Sequence, residues 1–98
     1  MNLNTSFDYA KASAVLKTIS HPVRLEIVHH LSGESSKTVS DLVALLKLDQ
    51  PSVSHHLTSL RLRGLLKADK RGKEVHYSLK EINLIQVLDC IQHCSCNY

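Results

Sequence analysis

The chain has 98 residues, 43% hydrophobic, 21% charged and 4% aromatic, with a formal net charge of +3 and a pI near 8.9. That length supports one core and one domain over residues 1–98, not two. So few aromatics argue against a stacking platform for RNA or single strands, no apolar run approaches a membrane span, and the mild positive charge leans towards polyanions without naming one.

Residues 1–10 lack a basic run followed by an apolar block, so they do not read as a secretory signal, and a cytoplasmic protein with reduced thiols is expected. Periodicity predicts a first helix over residues 6–20, with Ala10, Ala14, Val15 and Ile19 as a weak stripe and Phe7 near its start. His21-Pro22 ends it, because a residue before proline avoids the helical region. Pro22 then opens a second helix to residue 31, with Leu25, Val28 and Leu31 inward and His29-His30 outward. Gly33, Glu34, Ser35 and Ser36 form a break, after which Thr38 or Ser40 caps a short third helix carrying Val39, Leu42, Val43 and Leu46 inward.

The fourth helix is the one the chain is built around. Asp49 has the acceptor an N-cap needs, Pro51 sits in the first turn, and Val53, Leu57 and Leu60 recur on one face. The remaining faces carry Gln50, Ser52, Ser54, His55, Thr58 and Arg61, and no carboxylate occurs between Asp49 and Asp69. A polar face alone suits plain solvation; a polar face with no acid also suits an anion, and double-stranded DNA is the obvious one. Gly64 stops this helix, and two β segments follow, residues 65–70 and 74–79, joined by Arg71-Gly72-Lys73. Val75, Tyr77 and Leu79 alternate with Glu74, His76 and Ser78, which predicts one buried ribbon face. Six of the twelve basic residues (Arg61, Arg63, Lys67, Lys70, Arg71 and Lys73) crowd this short stretch against the single acid Asp69. From residue 80 to about 96 the helical period returns, with Leu84, Leu88 and Ile91 as a seam and Ile85 and Val87 beside it.

The expected fold is mainly α (α+β), a winged helix-turn-helix in the order α-α-α-α-β-β-α. No H-E-x-x-H, phosphate-cradling glycine loop or Ser/His/Asp setting is present, so an enzyme is not expected.

Three stretches carry a family resemblance. Ile19-Ser20-His21-Pro22-Val23-Arg24-Leu25-Glu26-Ile27-Val28 resembles the L-x-x-P-x-R-L-x-I-L opening of the ArsR/SmtB family of bacterial metal-responsive repressors. Leu48-Asp49-Gln50-Pro51-Ser52-Val53-Ser54-His55-His56-Leu57 is similar to its recognition motif, and Leu60 to Leu65 with Tyr77-Ser78-Leu79 match its helix stop and wing end. The likeness spans about residues 16–88 and implies a homodimer, joined by the first and last helices, that binds an imperfect inverted repeat and is released by an inducer. It implies that Gln50, Ser52, Ser54 and His55 face bases or phosphates, Thr58 and Arg61 the backbone, and Lys70, Arg71 and Lys73 the flanking minor groove.

The family's usual inducer sites are not intact. Thr38 and Ser40 stand where its thiolate site has cysteines, and Glu81, Asn83, Cys94 and Asn97 stand where its last-helix zinc site has Asp and His. What the chain offers is Cys90, His93, Cys94 and Cys96, the first three at i, i+3 and i+4 of a continued helix, with ligand types suited to Zn2+, Cd2+ or As(III). The same thiols suit a redox-responsive repressor, and packing in the dimer seam is the plain alternative. A different function class is a winged-helix module that binds protein rather than DNA.

Overall fold

The computed structural model describes residues 6–33 and 35–97; residues 1–5, Glu34 within the predicted break, and Tyr98 lie outside the described residues. The elements are α1 (Tyr9–Ile19), α2 (Pro22–His30), β1 (Lys37–Thr38), α3 (Val39–Leu46), α4 (Gln50–Leu62), β2 (Leu66–Arg71), β3 (Glu74–Leu79) and α5 (Asn83–Gln92). This is a winged helix-turn-helix, with one strand more than the predicted order.

Local chemistry sets the helix starts. The Asp8 carboxylate accepts the Lys11 N–H at 2.9 Å, so α1 begins at Tyr9 rather than at Ser6. At α2 the cap is His21, whose Nδ1 accepts from the Val23 N–H, with Pro22 in the first turn. Thr38 and Asp41 make a reciprocal capping box on α3: the Thr38 hydroxyl accepts the Asp41 N–H at 3.1 Å, and Asp41 accepts the Thr38 N–H at 2.9 Å. Those bonds hold the Asp41 carboxyl below the usual carboxylate range, the Thr38 backbone contributing most.

The stop at Gly64 is a full Schellman turn. Leu65 N–H donates to the Leu60 carbonyl at 3.0 Å and Gly64 N–H to that of Arg61 at 2.9 Å, with Gly64 at φ 79°. Leu60 and Leu65, both buried, provide the apolar contact that accompanies this turn.

The core gathers Ile27, Val28, Leu31, Leu42, Val53, Leu57, Leu60 and Leu66, each under 2% exposed. Leu25 packs against it only partly, and Ile27 takes the deep place on α2. Ala10 and Ala14 remain exposed, while Thr18 and Ile19 anchor the end of α1.

Strand order is β1-β3-β2, all antiparallel. The added strand β1 pairs Lys37 with Tyr77 and Thr38 with His76. The β2–β3 hairpin turns at Gly72 (φ 63°), with Leu66 opposite Leu79 and Arg71 opposite Glu74. The expected buried ribbon face holds only at the base: Leu66 and Leu79 are buried, whereas Ala68 is exposed and Val75 and Tyr77 are half-buried. The hairpin tip extends past the core, so nothing remains there to cover it.

The last helix is shorter than predicted. It ends at Gln92, with His93 N–H on the Asp89 carbonyl and Cys94 N–H on that of Ile91. His, Cys, Ser and Asn are weak helix formers, and every residue from Asp89 to Asn97 is exposed, so no packing offsets that weakness.

Candidate nucleic-acid interface

A short backbone device aims α4. Lys47 closes α3 in the left-handed region (φ 57°, ψ 43°), its N–H on the Val43 carbonyl at 2.9 Å, and the chain turns through Leu48 into Asp49. The Asp49 carboxylate then accepts the Ser52 N–H at 3.0 Å and the Ser52 hydroxyl at 2.8 Å. These bonds, the hydroxyl first, hold Asp49 below the usual carboxylate range. Ser52 is thereby engaged in the cap, which leaves its hydroxyl oxygen as an acceptor and commits its proton to Asp49.

Val53, Leu57 and Leu60 are wholly buried and fix the inward face of α4. Gln50, His55, Thr58 and Arg61 are exposed and Ser54 half-buried, so these predicted site residues share the accessible side of one helix. Leu62 also stands outward, 74% exposed between Arg61 and Arg63, an apolar position the sequence reading did not single out. At the Gln50 end Pro51 has no N–H and the Ser52 N–H is bonded to the Asp49 carboxylate, so the start of α4 offers few free backbone donors to a phosphate and its side chains carry the contact.

The wing carries the second basic surface. Lys70, Arg71 and Lys73 are all exposed at or beside the hairpin tip. Arg71 donates from Nε to Asp69 at 3.0 Å, while Lys70 and Lys73 enter no ion pair among the described residues. The one acid of the basic stretch is therefore occupied, and the two lysines keep their charge unpaired.

A polar network behind α4 was not anticipated. Arg24, half-buried on α2, donates from Nε to His56 Nδ1 at 3.0 Å and from Nη1 to the Thr18 carbonyl at 3.0 Å. The His56 ring lies 4.6 Å from that of His21 and 5.7 Å from that of His55. Burial, followed by His21, Arg24 and His55, lowers the His56 pKa below the usual imidazole value. The sequence signal was an arginine at the flank of an otherwise apolar helix face, 32 residues from its partner.

Cys90, Cys94 and Cys96 are free and exposed. Among the described residues no three His, Cys, Asp or Glu side chains gather as a metal-binding group. The predicted convergence of Cys90, His93 and Cys94 required a helix continuing past residue 92, and the helix stops there. Within one chain these residues do not fit a metal ion. Cys90 does share the outer side of α5 with Val87 and Ile91, which are 42% and 56% exposed. Leu84 faces the other way, 7% exposed in the chain's own core.

Residues 21–68 match the family model described as bacterial regulatory protein, arsR family. The chain is 38% identical over 81 residues to the transcriptional repressor PagR of Bacillus anthracis, covering 80% of this chain and 81% of that protein. It is 33% identical over 84 residues to the cadmium resistance transcriptional regulatory protein CadC of Listeria innocua, covering 86% and 71%. Among solved structures, HlyU from Vibrio cholerae superposes with a TM-score of 0.76 at 31% identity, covering 97% of this chain and all of that one.

Proposed function

The chain belongs to the arsR family of bacterial DNA-binding regulators, and from that premise we propose that it represses transcription as a homodimer, reading an imperfect inverted repeat with α4. In this reading Gln50, Ser54 and His55 meet base edges or phosphates. Ser52, its proton held by Asp49, lies beside the phosphates at the start of α4, Thr58 and Arg61 lie along the backbone, and Lys70, Arg71 and Lys73 reach the flanking minor groove. One observation carries it: the exposed side of α4 holds no carboxylate and continues into a wing where Lys70, Arg71 and Lys73 outnumber two acids, Asp69 bonded to Arg71 and Glu74 lying 3.7 Å from His76.

A salt titration of binding to a duplex selected from a random pool tests this directly. With six or more phosphates contacted, affinity falls by ~10³ or more between ~50 and ~200 mM salt. A flat profile would favour the alternative of a winged-helix module that docks on protein, since such a partner requires no uniform positive charge.

The inducer we assign to the thiols Cys90, Cys94 and Cys96, because they are exposed and Cys90 lies beside the apolar residues Val87 and Ile91 on α5. A soft ion such as Zn2+, Cd2+ or As(III) would need groups from more than one chain or a rearranged tail; a regulator named for cadmium resistance is among the relatives. Oxidation would instead join two thiols as a disulfide, two electrons and two protons passing to the oxidant. The expected outcome is that one of these reagents releases the duplex and that the triple Cys→Ser variant binds DNA normally but no longer responds. A response that survives in the triple variant would move the sensor elsewhere.

A further inference from the structure

We propose, on the footing that α4 enters DNA, that Arg24 is a positioning residue that clamps α4 to α1 through neutral His56, so that proton uptake by His56 opens the clamp and lowers DNA affinity. The geometry is a three-element junction. One guanidinium on α2 reaches the C-terminal turn of α1 at the Thr18 carbonyl and the middle of α4 at His56 Nδ1, both at 3.0 Å. Each contact occupies a different N–H of one rigid plane, so the fork fixes the spacing between α1 and α4 as well as joining them.

The clamp depends on the protonation state of one ring. Neutral imidazole has one acceptor nitrogen, and His56 presents it to Arg24. Imidazolium has two donors and no acceptor, whereas arginine stays charged throughout, so protonation turns a hydrogen bond into a donor-donor, like-charge contact. The groups facing His56 make proton uptake costly in the clamped state. They are Arg24 from α2, His21 from the α1–α2 turn and His55 from its own helix; α1, α3 and β2 contribute no charged group and no carboxylate faces the ring among the described residues. His21 Nδ1 is itself in use, accepting the Val23 N–H that starts α2.

The sign follows from the lowered His56 pKa. The clamped state binds fewer protons than the open one, so the contribution is complete above pH ~6.5 and is lost as pH falls through the folded value. His55 lies exposed on the DNA side of the same helix, so the His56 part of the response has to be isolated.

His56→Asn isolates it. The amide oxygen takes the place of Nδ1 as acceptor for Arg24 and does not titrate. Affinity for a duplex selected by the wild-type protein would be measured between about pH 7.5 and about pH 5.5 for both proteins. The expected result is similar binding at the upper end and, relative to His56→Asn, a wild-type loss of up to ~10-fold per pH unit for each protomer below the His56 pKa. Coincident profiles would overturn the proposal. An NMR titration of the His56 ring without DNA provides a second readout: Arg24→Gln is expected to raise its pKa, and an unchanged value would equally overturn the clamp. Failure of the wild-type protein to bind any duplex near neutral pH would instead remove the DNA reading, leaving the ring titration to decide the clamp by itself.

Discussion

Leu57 and Gly64 lie seven residues apart and resist substitution for opposite reasons. Leu57 is fully buried, so Leu57→Ala removes contacts on every side and is expected to cost ~2–5 kcal/mol. Around Gly64 a Cβ would meet nothing within 4 Å, so the cost of Gly64→Ala is backbone strain alone. At φ 79° that strain is expected to be ~1–2 kcal/mol. Urea unfolding midpoints of the two variants check the ranking; equal losses would mean that packing near Gly64 matters more than its conformation. At this scale the sequence was informative wherever partners are close along the chain. Asp49, Pro51, Pro22, Thr38 and Gly64 act within three or four residues of themselves, and each was readable as a cap or stop. Arg24 and His56 were not, because nothing in either local pattern indicates a partner 32 residues away. Deep burial of Ile27 in place of Leu25 was missed for a related reason: on a helix packed from several sides, a stripe of spacing does not say which edge goes deepest.

Among the elements, α4 and the wing divide the work of binding. Contacts to phosphate carry affinity without sequence information, whereas contacts to base edges discriminate. Lys70→Ala and Lys73→Ala are therefore expected to weaken every duplex alike and to reduce the salt slope by ~1 each. Gln50→Ala and Ser54→Ala are expected to narrow the gap between the selected duplex and a scrambled one by ~1–3 kcal/mol per lost base contact. Gel-shift or anisotropy titrations on both duplexes separate the two behaviours, and wing variants with wild-type slope would exclude the wing from the interface. The helices and the hairpin were legible because each has enough residues to display a period. β1 has two, too few for alternation, and it exists through pairing with Tyr77 and His76 rather than through its own composition. α5 erred in the other direction. Its apolar spacing runs on to Ile91, but the residues beyond are weak helix formers with no surface to pack on, and the predicted metal-ligand face was lost with that last turn.

The whole molecule is more extended than its length requires: the radius of gyration is 14.7 Å, against ~12.6 Å for a compact chain of this size. Part of that excess is the wing, and part is apolar surface at the terminal helices that the core does not cover. Leu16 on α1 is 53% exposed, and Val87 and Ile91 on α5 are 42% and 56% exposed. A second copy docked on this surface would bury all three, and reading an inverted repeat requires its twofold axis to set two α4 helices at the spacing of successive major grooves, ~34 Å. The sequence reading placed Leu84, Leu88 and Ile91 in that seam; in the fold Leu84 belongs to the chain's own core, Leu88 packs partly against it, and the outward residues are Val87 and Ile91. This shift decides which variant is informative. A charge at Leu84 would damage the monomer and the dimer together. Ile91→Asp alters a position already open to solvent, so the isolated chain should keep its stability to within ~0.5 kcal/mol. In the dimer the same carboxylate would be placed in an apolar seam twice, once from each copy, at several kcal/mol if it stays ionised and unpaired. Sedimentation is then expected to show folded monomers, with affinity for the selected inverted repeat lost and weak salt-sensitive binding to a single half-site retained. An Ile91→Asp protein that remains dimeric at micromolar concentration would place the interface elsewhere and remove the geometric basis for reading an inverted repeat.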